Sequence, residues 1–318
     1  MPPFAVDIAD IHQAAKRLEG RVHRTPVMTC ATLDRMAGRA LFFKCEQFQK
    51  VGAFKFRGAC NAVMRLAPEI APRGAVTHSS GNHAQALALA AALRGIPAHI
   101  VMPRNASTVK RRAVEKYGGR VVECEPTLEA RETTAAAVLA DTGATMIPPY
   151  NHPDVIAGQG TVALELLEQA PQLDAVVMPV GGGGLMAGVT IAAKAMAPNI
   201  RVIAAEPAGA DDAARSKAAG VLVPQTAPRT IADGLRTSLG DLTWPVLRER
   251  VECVITVTDE EIIAAMRLAW ERGKLLIETS SAVAVAAVLS DQFRALEGMQ
   301  RVGVILSGGN VNLDDLPW

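Results

Sequence analysis

Lys55 stands in surroundings that suit nucleophilic chemistry. It lies between Phe54 and Phe56 in a run, Gly52–Gly58, that contains no acidic residue. Apolar surroundings disfavour the charged ammonium form, so the pKa of the amine falls and the amine attacks a carbonyl carbon more readily. The common alternative for such a lysine is an exposed residue whose stem lies along an apolar surface.

Four consecutive glycines, Gly181–Gly184, follow a buried apolar run and open an Ala-rich segment. A backbone without Cβ atoms approaches an anion closely, and the N–H groups at a helix N-terminus favour negative charge, so this loop predicts phosphate binding. A tight turn that needs positive φ is the alternative. The stretch Gly182-x-Gly184-x-x-Ala187, with Glu206 about 20 residues on, also fits the dinucleotide fingerprint, and a nucleotide-dependent oxidoreductase is therefore a competing interpretation.

Two other loops carry polar groups that suit ligand binding. The loop from Thr77 to His83 places hydroxyls, an amide and N–H groups at a helix start, where they can hold a carboxylate. Ordinary N-capping by Ser80 or Asn82 is the alternative. Ser307 follows a buried apolar run, at the end of a strand where open α/β sheets bind ligands, although a simple turn explains it equally well.

The stretch Glu206–Asp212 brings two carboxylates together in a flexible segment. Carboxylate and carbonyl oxygens with water are the ligands of Mg²⁺, Ca²⁺ or Mn²⁺. Spacing alone favours the alternative, which is that these acids are solvated.

These loops need a frame of strands and helices, and several apolar runs supply it. The runs are rich in Val and Ile with little alternation, as strands of a parallel sheet covered on both faces require: 74–77, 120–123, 175–180, 201–206 and 301–306. Thr258 with Glu261 predicts a capping box, Ser107 predicts a helix start, and Gly95 predicts a helix end. We therefore expect an open α/β fold with mostly parallel, twisted sheets and helices on both faces.

The length of 318 residues suggests two domains. Residues 74–151 contain a self-sufficient βαβαβ-like pattern and are predicted to form a small domain. Residues 1–73 and 152–318 then form a discontinuous large domain.

Composition excludes several classes of partner. With 33 Lys and Arg against 32 Asp and Glu, the net charge of +1 gives no field that attracts nucleic acid or an acidic membrane surface. Apolar stretches stop well short of the roughly 20 residues that span a bilayer. Five scattered cysteines without CxxC spacing and no visible signal peptide favour a reducing compartment, the cytoplasm.

Taken in order, AFKFRG, SSGNHAQA, VGGGGLMAG and ILSGGN resemble the fold-type II pyridoxal-phosphate (PLP) enzymes. The resemblance is to the group of serine racemases and serine/threonine dehydratases, and it runs from about residue 10 to residue 313. It implies a tryptophan synthase β-like fold, PLP as cofactor, a divalent cation, a homodimer, and a small domain that moves as a lid.

The resemblance also implies roles for single residues. Lys55 would bind the cofactor covalently and act as the base on one face of the substrate Cα, and Ser80 would act as acid and base on the opposite face. The other residues implied in cofactor binding are Phe54, Asn82, Gly181, Gly182, Gly183, Gly184, Leu185 and Ser307. Those implied in substrate binding are Ser79, Ser80, Gly81, Asn82, His83, Arg131 and Tyr150. Those implied in metal binding are Glu206, the carbonyl of Ala210, and Asp212.

The expected reaction is the dehydration and deamination of a small 3-hydroxy amino acid to a 2-oxo acid and ammonia. Racemisation is the alternative within the same chemistry, because Ser80 matches the second acid and base of racemases. The sequence does not distinguish serine, threonine and 3-hydroxyaspartate as substrates. Arg131 and Tyr150 would suit an acidic side chain, and Tyr150 stands where some racemases carry Asn.

Overall fold

The computed structural model describes residues 4–318. The strands in this range are β1 (Val27–Met28), β2 (Ala40–Cys45), β3 (Ala75–His78), β4 (Ala98–Pro103), β5 (Arg120–Cys124), β6 (Thr145–Met146), β7 (Ala175–Pro179), β8 (Arg201–Pro207), β9 (Cys253–Val257) and β10 (Arg301–Leu306). The α-helices are α1 (Ile8–Leu18), α2 (Ala31–Ala37), α3 (Lys55–Arg65), α4 (Asn82–Arg94), α5 (Thr108–Lys116), α6 (Leu128–Thr142), α7 (Pro153–Gln169), α8 (Gly184–Met196), α9 (Asp212–Ala219), α10 (Trp244–Arg250), α11 (Asp259–Leu268), α12 (Thr279–Leu289) and α13 (Asp291–Arg294).

The strands form two sheets. Six strands pair in the order β1-β2-β10-β7-β8-β9, and only the edge strand β1 is antiparallel to its neighbour. Four parallel strands pair in the order β5-β4-β3-β6. The predicted fold class, mostly parallel α/β, is confirmed. No helix in the described part of the chain is long and apolar enough to cross a membrane.

Both faces of the six-stranded sheet are buried, which explains why its strands lack polar alternation. Along β10, Val302 and Val304 point into the core that α11 and α12 cover, whereas Ile305 points into the core covered by α7 and α8. Neighbouring residues of a strand face opposite sides of the sheet, so an apolar residue is needed at every position.

The four-stranded sheet is likewise covered on both faces. Ala75 lies in the core that α3 and α4 cover, and Val76 lies in the core beneath α6. All four strands fall within residues 74–151, yet α3, from outside that range, contributes Phe56 to the first of these cores. The division into two domains and the mobility of the smaller one stay predictions.

The predicted helix signals are confirmed. The side chain of Thr258 accepts a hydrogen bond from the backbone of Glu261, and the Glu261 carboxylate accepts one from the backbone of Thr258. Ser107 caps α5, and Gly95 ends α4 in the left-handed conformation. After Leu268, the chain continues from α11 into a wider π-helical turn, Ala269–Gly273.

A buried ionic network anchors α3, the helix whose first residue is Lys55. The guanidinium of Arg57 donates to Glu46 at 2.7 and 2.8 Å and to Glu165 at 2.7 and 2.9 Å. Lys44 donates to Glu165 at 2.6 Å. The side chains of Arg57 and Glu46 are fully buried, so neither charge has water as an alternative partner.

Replacing Arg57 by leucine is expected to lower the free energy of unfolding of the cofactor-free protein by about 3–5 kcal/mol, because a buried carboxylate loses its partner. Urea unfolding measures this change. The matched control is Arg24→Leu, which breaks an ion pair with Glu168 whose side chains are 54% and 55% exposed. This control is expected to change stability by about 1 kcal/mol or less. Equal effects of the two substitutions would show that the network does not stabilise α3.

Candidate active site

Lys55 is half-buried, and its amine is bonded within the protein rather than exposed on an apolar surface. Its Nζ donates a hydrogen bond of 2.7 Å to the carbonyl of Pro149 and lies 5.0 Å from the centroid of the Phe54 ring. Burial lowers the pKa of Lys55 to about 8, and the charge of nearby Glu278 opposes the shift. A substantial fraction of the amine is therefore neutral near pH 8, as a nucleophile or base requires.

The polar stretch from Ser79 to His83 comprises the loop after β3 and the first two residues of α4. The N-cap of α4 is Gly81, and no side chain caps the helix, so ordinary N-capping by Ser80 or Asn82 is wrong. Ser79, Ser80 and Gly81 are half-buried. Within residues 4–318 the Ser80 hydroxyl has no hydrogen-bond partner that would occupy it, although the Ser79 hydroxyl accepts from the Gly81 N–H at 3.4 Å. The loop can therefore present polar groups to a ligand.

His83 is buried and fastens the start of α4 to the segment that carries Pro149. Its Nε2 lies 2.9 Å from the carbonyl oxygen of Ile147, so Nε2 carries the hydrogen and donates. Burial, with the charge of Lys55, lowers the pKa of His83 to about 3. The imidazole is neutral at physiological pH and supports the loop without adding charge.

Glu278 and Asn310 hold both ends of the Asn82 amide, and neither is among the predicted site residues. Asn82 Nδ2 donates to the Glu278 carboxylate at 2.8 and 3.1 Å, and Asn310 Nδ2 donates to Asn82 Oδ1 at 2.9 Å. Burial raises the pKa of Glu278 to about 7. The signal in the sequence is an acid within the otherwise apolar stretch around α12, which is a candidate for a buried polar group.

The glycine loop is shaped mainly by Tyr150. Only Gly183, the N-cap of α8, has a positive φ among the four glycines (86°), so a tight turn explains one of them. A Cβ on Gly182 would lie 2.3 Å from the Tyr150 ring, and one on Gly184 would lie 2.9 Å from the Tyr150 Cα. The first N–H groups of α8 have no partner within the helix and remain available to an anion.

Ser307 links the lysine run to the Glu278 cluster. Its carbonyl accepts a hydrogen bond of 3.0 Å from the N–H of Phe54, and the next residue, Gly308, pairs with Ala53. A Cβ on Gly308 would lie 2.7 Å from the Glu278 carboxylate. The contacts thus connect Lys55, Asn82, Ser307, Tyr150 and the glycine loop.

Arg131 is not part of this connected set. It lies on α6, and its positive charge adds to the lowering of the pKa of His78 that burial mainly causes. No hydrogen bond among residues 4–318 joins Arg131 to Lys55, Asn82 or Tyr150, and its buried Nε has no partner. A role in substrate binding would require α6 to approach the other residues.

The predicted metal ligands lie in a separate buried cluster. Glu206 accepts hydrogen bonds of 3.0 Å from the N–H groups of Ala213 and Ala214, and one oxygen of Asp212 accepts from Leu239 N at 2.9 Å. Both side chains are fully buried, so the interpretation as solvated acids is wrong. Burial raises the pKa of both carboxyls. In the described part of the chain, the second oxygen of Asp212 has no hydrogen-bond partner.

No group of three or more His, Cys, Asp and Glu side chains between residues 4 and 318 forms a metal site. The donors that a cation would find here are two carboxylates and the carbonyl of Ala210, which is also buried. The Asp212 oxygen that has no partner within residues 4–318 fits a metal ligand, and oxygen donors of this kind suit a hard divalent cation.

Comparison with known families decides the class of protein. A family model described as pyridoxal-phosphate dependent enzyme matches residues 18–308. The chain belongs to this family of PLP enzymes. The match favours PLP over the nucleotide-dependent oxidoreductase that the Gly182–Ala187 fingerprint left open.

Individual members of the PLP family are similar over nearly the whole chain. A serine racemase of Arabidopsis thaliana is 54% identical over 98% of this chain and 96% of its own length. A beta-hydroxyaspartate dehydratase of Paracoccus denitrificans is 50% identical over 97% of this chain and 98% of its own. The structure of maize serine racemase superimposes with a TM-score of 0.97 at 52% identity, covering 98% of this chain and 95% of that one.

The residues of the connected set fit PLP. Lys55 supplies an amine of lowered pKa, which suits covalent attachment to the cofactor aldehyde. The start of α8 supplies N–H groups that have no partner within the helix, which suits the phosphate. Ser307, 4% exposed, supplies a hydroxyl, which suits the ring nitrogen less strongly than a carboxylate would.

Proposed function

We propose that this enzyme converts a small 3-hydroxy amino acid to a 2-oxo acid and ammonia, by elimination of water followed by hydrolysis of the product. The observation that carries the proposal is the buried Lys55 amine beside the polar loop and the glycine loop. Relatives of both kinds support it, since a dehydratase and serine racemases share about half of their residues with this chain.

In the proposed reaction, the residues of this chain have the following roles. The substrate carboxylate is held by the loop Ser79–His83, and the phosphate of the cofactor is held by the N–H groups of Gly181–Leu185. When bound, PLP withdraws electrons from the substrate Cα and so acidifies its proton. The neutral Lys55 amine removes this proton, and the β-hydroxyl leaves as water after accepting a proton. The enamine that is released tautomerises to an imine, and hydrolysis of this imine gives the 2-oxo acid and ammonia.

Racemisation is the second function that a specific observation favours. The Ser80 hydroxyl is half-buried, and the hydrogen bonds of residues 4–318 leave it free to exchange a proton. If it faces Cα opposite Lys55, a proton removed on one side can be replaced on the other. Racemisation and elimination share the first step and can occur in one enzyme.

Three further features belong to the proposal. A divalent cation is bound by Glu206, Asp212 and the Ala210 carbonyl. Arg131 and Tyr150 meet the substrate side chain when residues 74–151 close over the site. The enzyme is a homodimer in the cytoplasm, where its five free cysteines stay reduced.

A substrate panel tests the proposed function. L-Serine, L-threonine and the 3-hydroxyaspartates are incubated with the holoenzyme, and ammonia, 2-oxo acid and enantiomeric composition are measured with Mg²⁺ and with chelator. We expect equal amounts of ammonia and 2-oxo acid from at least one substrate, with lower rates in chelator. An enzyme that releases no ammonia from any of them would contradict the elimination, and L-serine that yields no D-serine would remove racemisation.

A further inference from the structure

The carbonyl of Gly182, in the middle of the glycine loop, is held by Thr243. Thr243 Oγ1 donates toward this carbonyl oxygen at 2.9 Å, with the Gly240 carbonyl as a longer second acceptor at 3.1 Å, and it accepts a hydrogen bond of 3.0 Å from Gly240 N. Gly240 N also lies 3.3 Å from the Gly182 carbonyl. Thr243 is fully buried, so water does not replace these bonds.

Thr243 also packs against the next residue of the loop. A Cβ on Gly183 would lie 2.6 Å from Thr243 Oγ1 and 2.7 Å from Thr243 Cβ. Gly183 is the N-cap of α8 and has positive φ, a conformation that glycine adopts without strain. Thr243 therefore contacts two successive residues just where the loop becomes a helix.

The segment that carries Thr243 is itself fastened from two directions. The side chain of Asn151 accepts a hydrogen bond of 3.1 Å from Leu242 N and donates one of 2.6 Å to Asp241. Asp212 accepts a hydrogen bond of 2.9 Å from Leu239 N. The position of the Thr243 hydroxyl is thus set by the surrounding fold.

Because of the geometry of the peptide bond, the contact between Thr243 and the Gly182 carbonyl also sets the direction of the Gly183 N–H. The carbonyl of Gly182 and the N–H of Gly183 belong to one planar trans peptide, and they point in opposite directions. A hydroxyl that holds the carbonyl on one side directs the N–H to the other side. Glycines have few steric restraints of their own, so this loop needs an external contact to keep one orientation.

We infer that Thr243 is a positioning residue that fixes the Gly182–Gly183 peptide and so directs the Gly183 N–H toward the cofactor phosphate. The inference rests on the proposed function, in which the glycine loop binds that phosphate. Thr243 does not touch the reacting atoms, and its effect is on the affinity for a phosphorylated ligand.

Two substitutions distinguish the effect of the Thr243 hydroxyl from the effect of the shape of its side chain. Thr243→Val keeps the volume and removes the donor, whereas Thr243→Ser keeps the donor. The affinity of each cofactor-free protein for PLP and for pyridoxal, which lacks the phosphate, is measured by absorbance titration. We expect Thr243→Val to weaken PLP binding about tenfold or more. This factor corresponds to the loss of one hydrogen bond to a charged group, here the bond from the Gly183 N–H to the phosphate. Pyridoxal binding should change less than about twofold, and Thr243→Ser should restore PLP binding.

The other outcomes are equally informative. A valine variant that loses affinity for PLP and pyridoxal by the same factor would show a general structural role and overturn the inference, as would an unchanged PLP affinity. A wild-type protein that binds both compounds equally well would instead contradict the assignment of the glycine loop to phosphate. If Thr243→Val does not fold, Thr243→Ala is measured in the same way and must show the phosphate-selective loss.

Discussion

Replacing Lys55 by alanine is expected to lower ammonia release from L-serine about 10²–10⁴-fold, the range by which a positioned general base accelerates proton transfer. The Lys55 amine has a pKa of about 8 because burial disfavours its charged form, so it can act as a base at neutral pH. Alanine removes both this base and the point of covalent attachment. Steady-state assays of ammonia release measure the effect.

A matched control and a rescue distinguish chemistry from damage to the fold. Lys50→Ala removes another half-buried lysine of the same region, and activity should stay within about twofold because Lys50 lies outside the connected set of site residues. A small amine such as methylamine, added to Lys55→Ala, should restore part of the rate by replacing the lost base. Borohydride treatment followed by mass spectrometry should place the cofactor on the Lys55 peptide of the wild type. A Lys55→Ala protein with wild-type turnover would refute the mechanism.

Much of the fold could be predicted because its signals are local. A strand buried on both faces must be apolar at every position, and this marked β7, β8 and β10 to within a residue of their observed bounds. Capping residues such as Thr258 are bonded to neighbours three residues away, which a sequence shows directly. By contrast, the two-residue strands β1 and β6 exist only through pairing with β2 and β3, and nothing in their own residues marks them.

The site was predicted where a motif is unusual in itself and missed where it depends on distant contacts. Four successive glycines indicate that another group comes close to the backbone of this loop. In the structure that group is Tyr150, about 30 positions earlier in the sequence. Glu278 meets Asn82 across 196 residues, so its burial and raised pKa follow only from the assembled fold. Thr243 looks like an ordinary helix-start residue until its contact with Gly182 is known.

The acidic cluster of Glu206 and Asp212 is another case in which the sequence does not reveal burial. Spacing alone favoured solvation for Glu206 and Asp212, because acids after a strand usually face water. In the fold both carboxyls are buried at the start of α9, and within residues 4–318 one oxygen of Asp212 has no hydrogen-bond partner. Two buried like charges are stable only when protonated or when a cation joins them. Burial, which the sequence does not reveal, thus reverses the preference.

Replacing Ser80 by alanine is expected to lower the formation of D-serine from L-serine about 10²–10⁴-fold. Ammonia release from L-serine should fall much less, by about tenfold at most, because elimination needs a base on only one face of Cα. The reason is geometric, since inversion requires a proton donor opposite Lys55, and the half-buried Ser80 hydroxyl makes no hydrogen bond within the described residues 4–318. Chiral chromatography and an ammonia assay on the same samples measure the ratio of the two rates.

The ratio of rates is informative because a change in loop structure would lower both reactions together. Ser107→Ala is the control, since Ser107 caps α5 far along the chain from the loop, and its loss should reduce stability by about 1 kcal/mol without changing the ratio. In D₂O, the wild type should place deuterium in both enantiomers of serine, whereas Ser80→Ala should label only L-serine. If D-serine forms at the wild-type rate, another group protonates the second face. If both reactions fall by the same factor, Ser80 serves to bind the substrate carboxylate and does not transfer the proton.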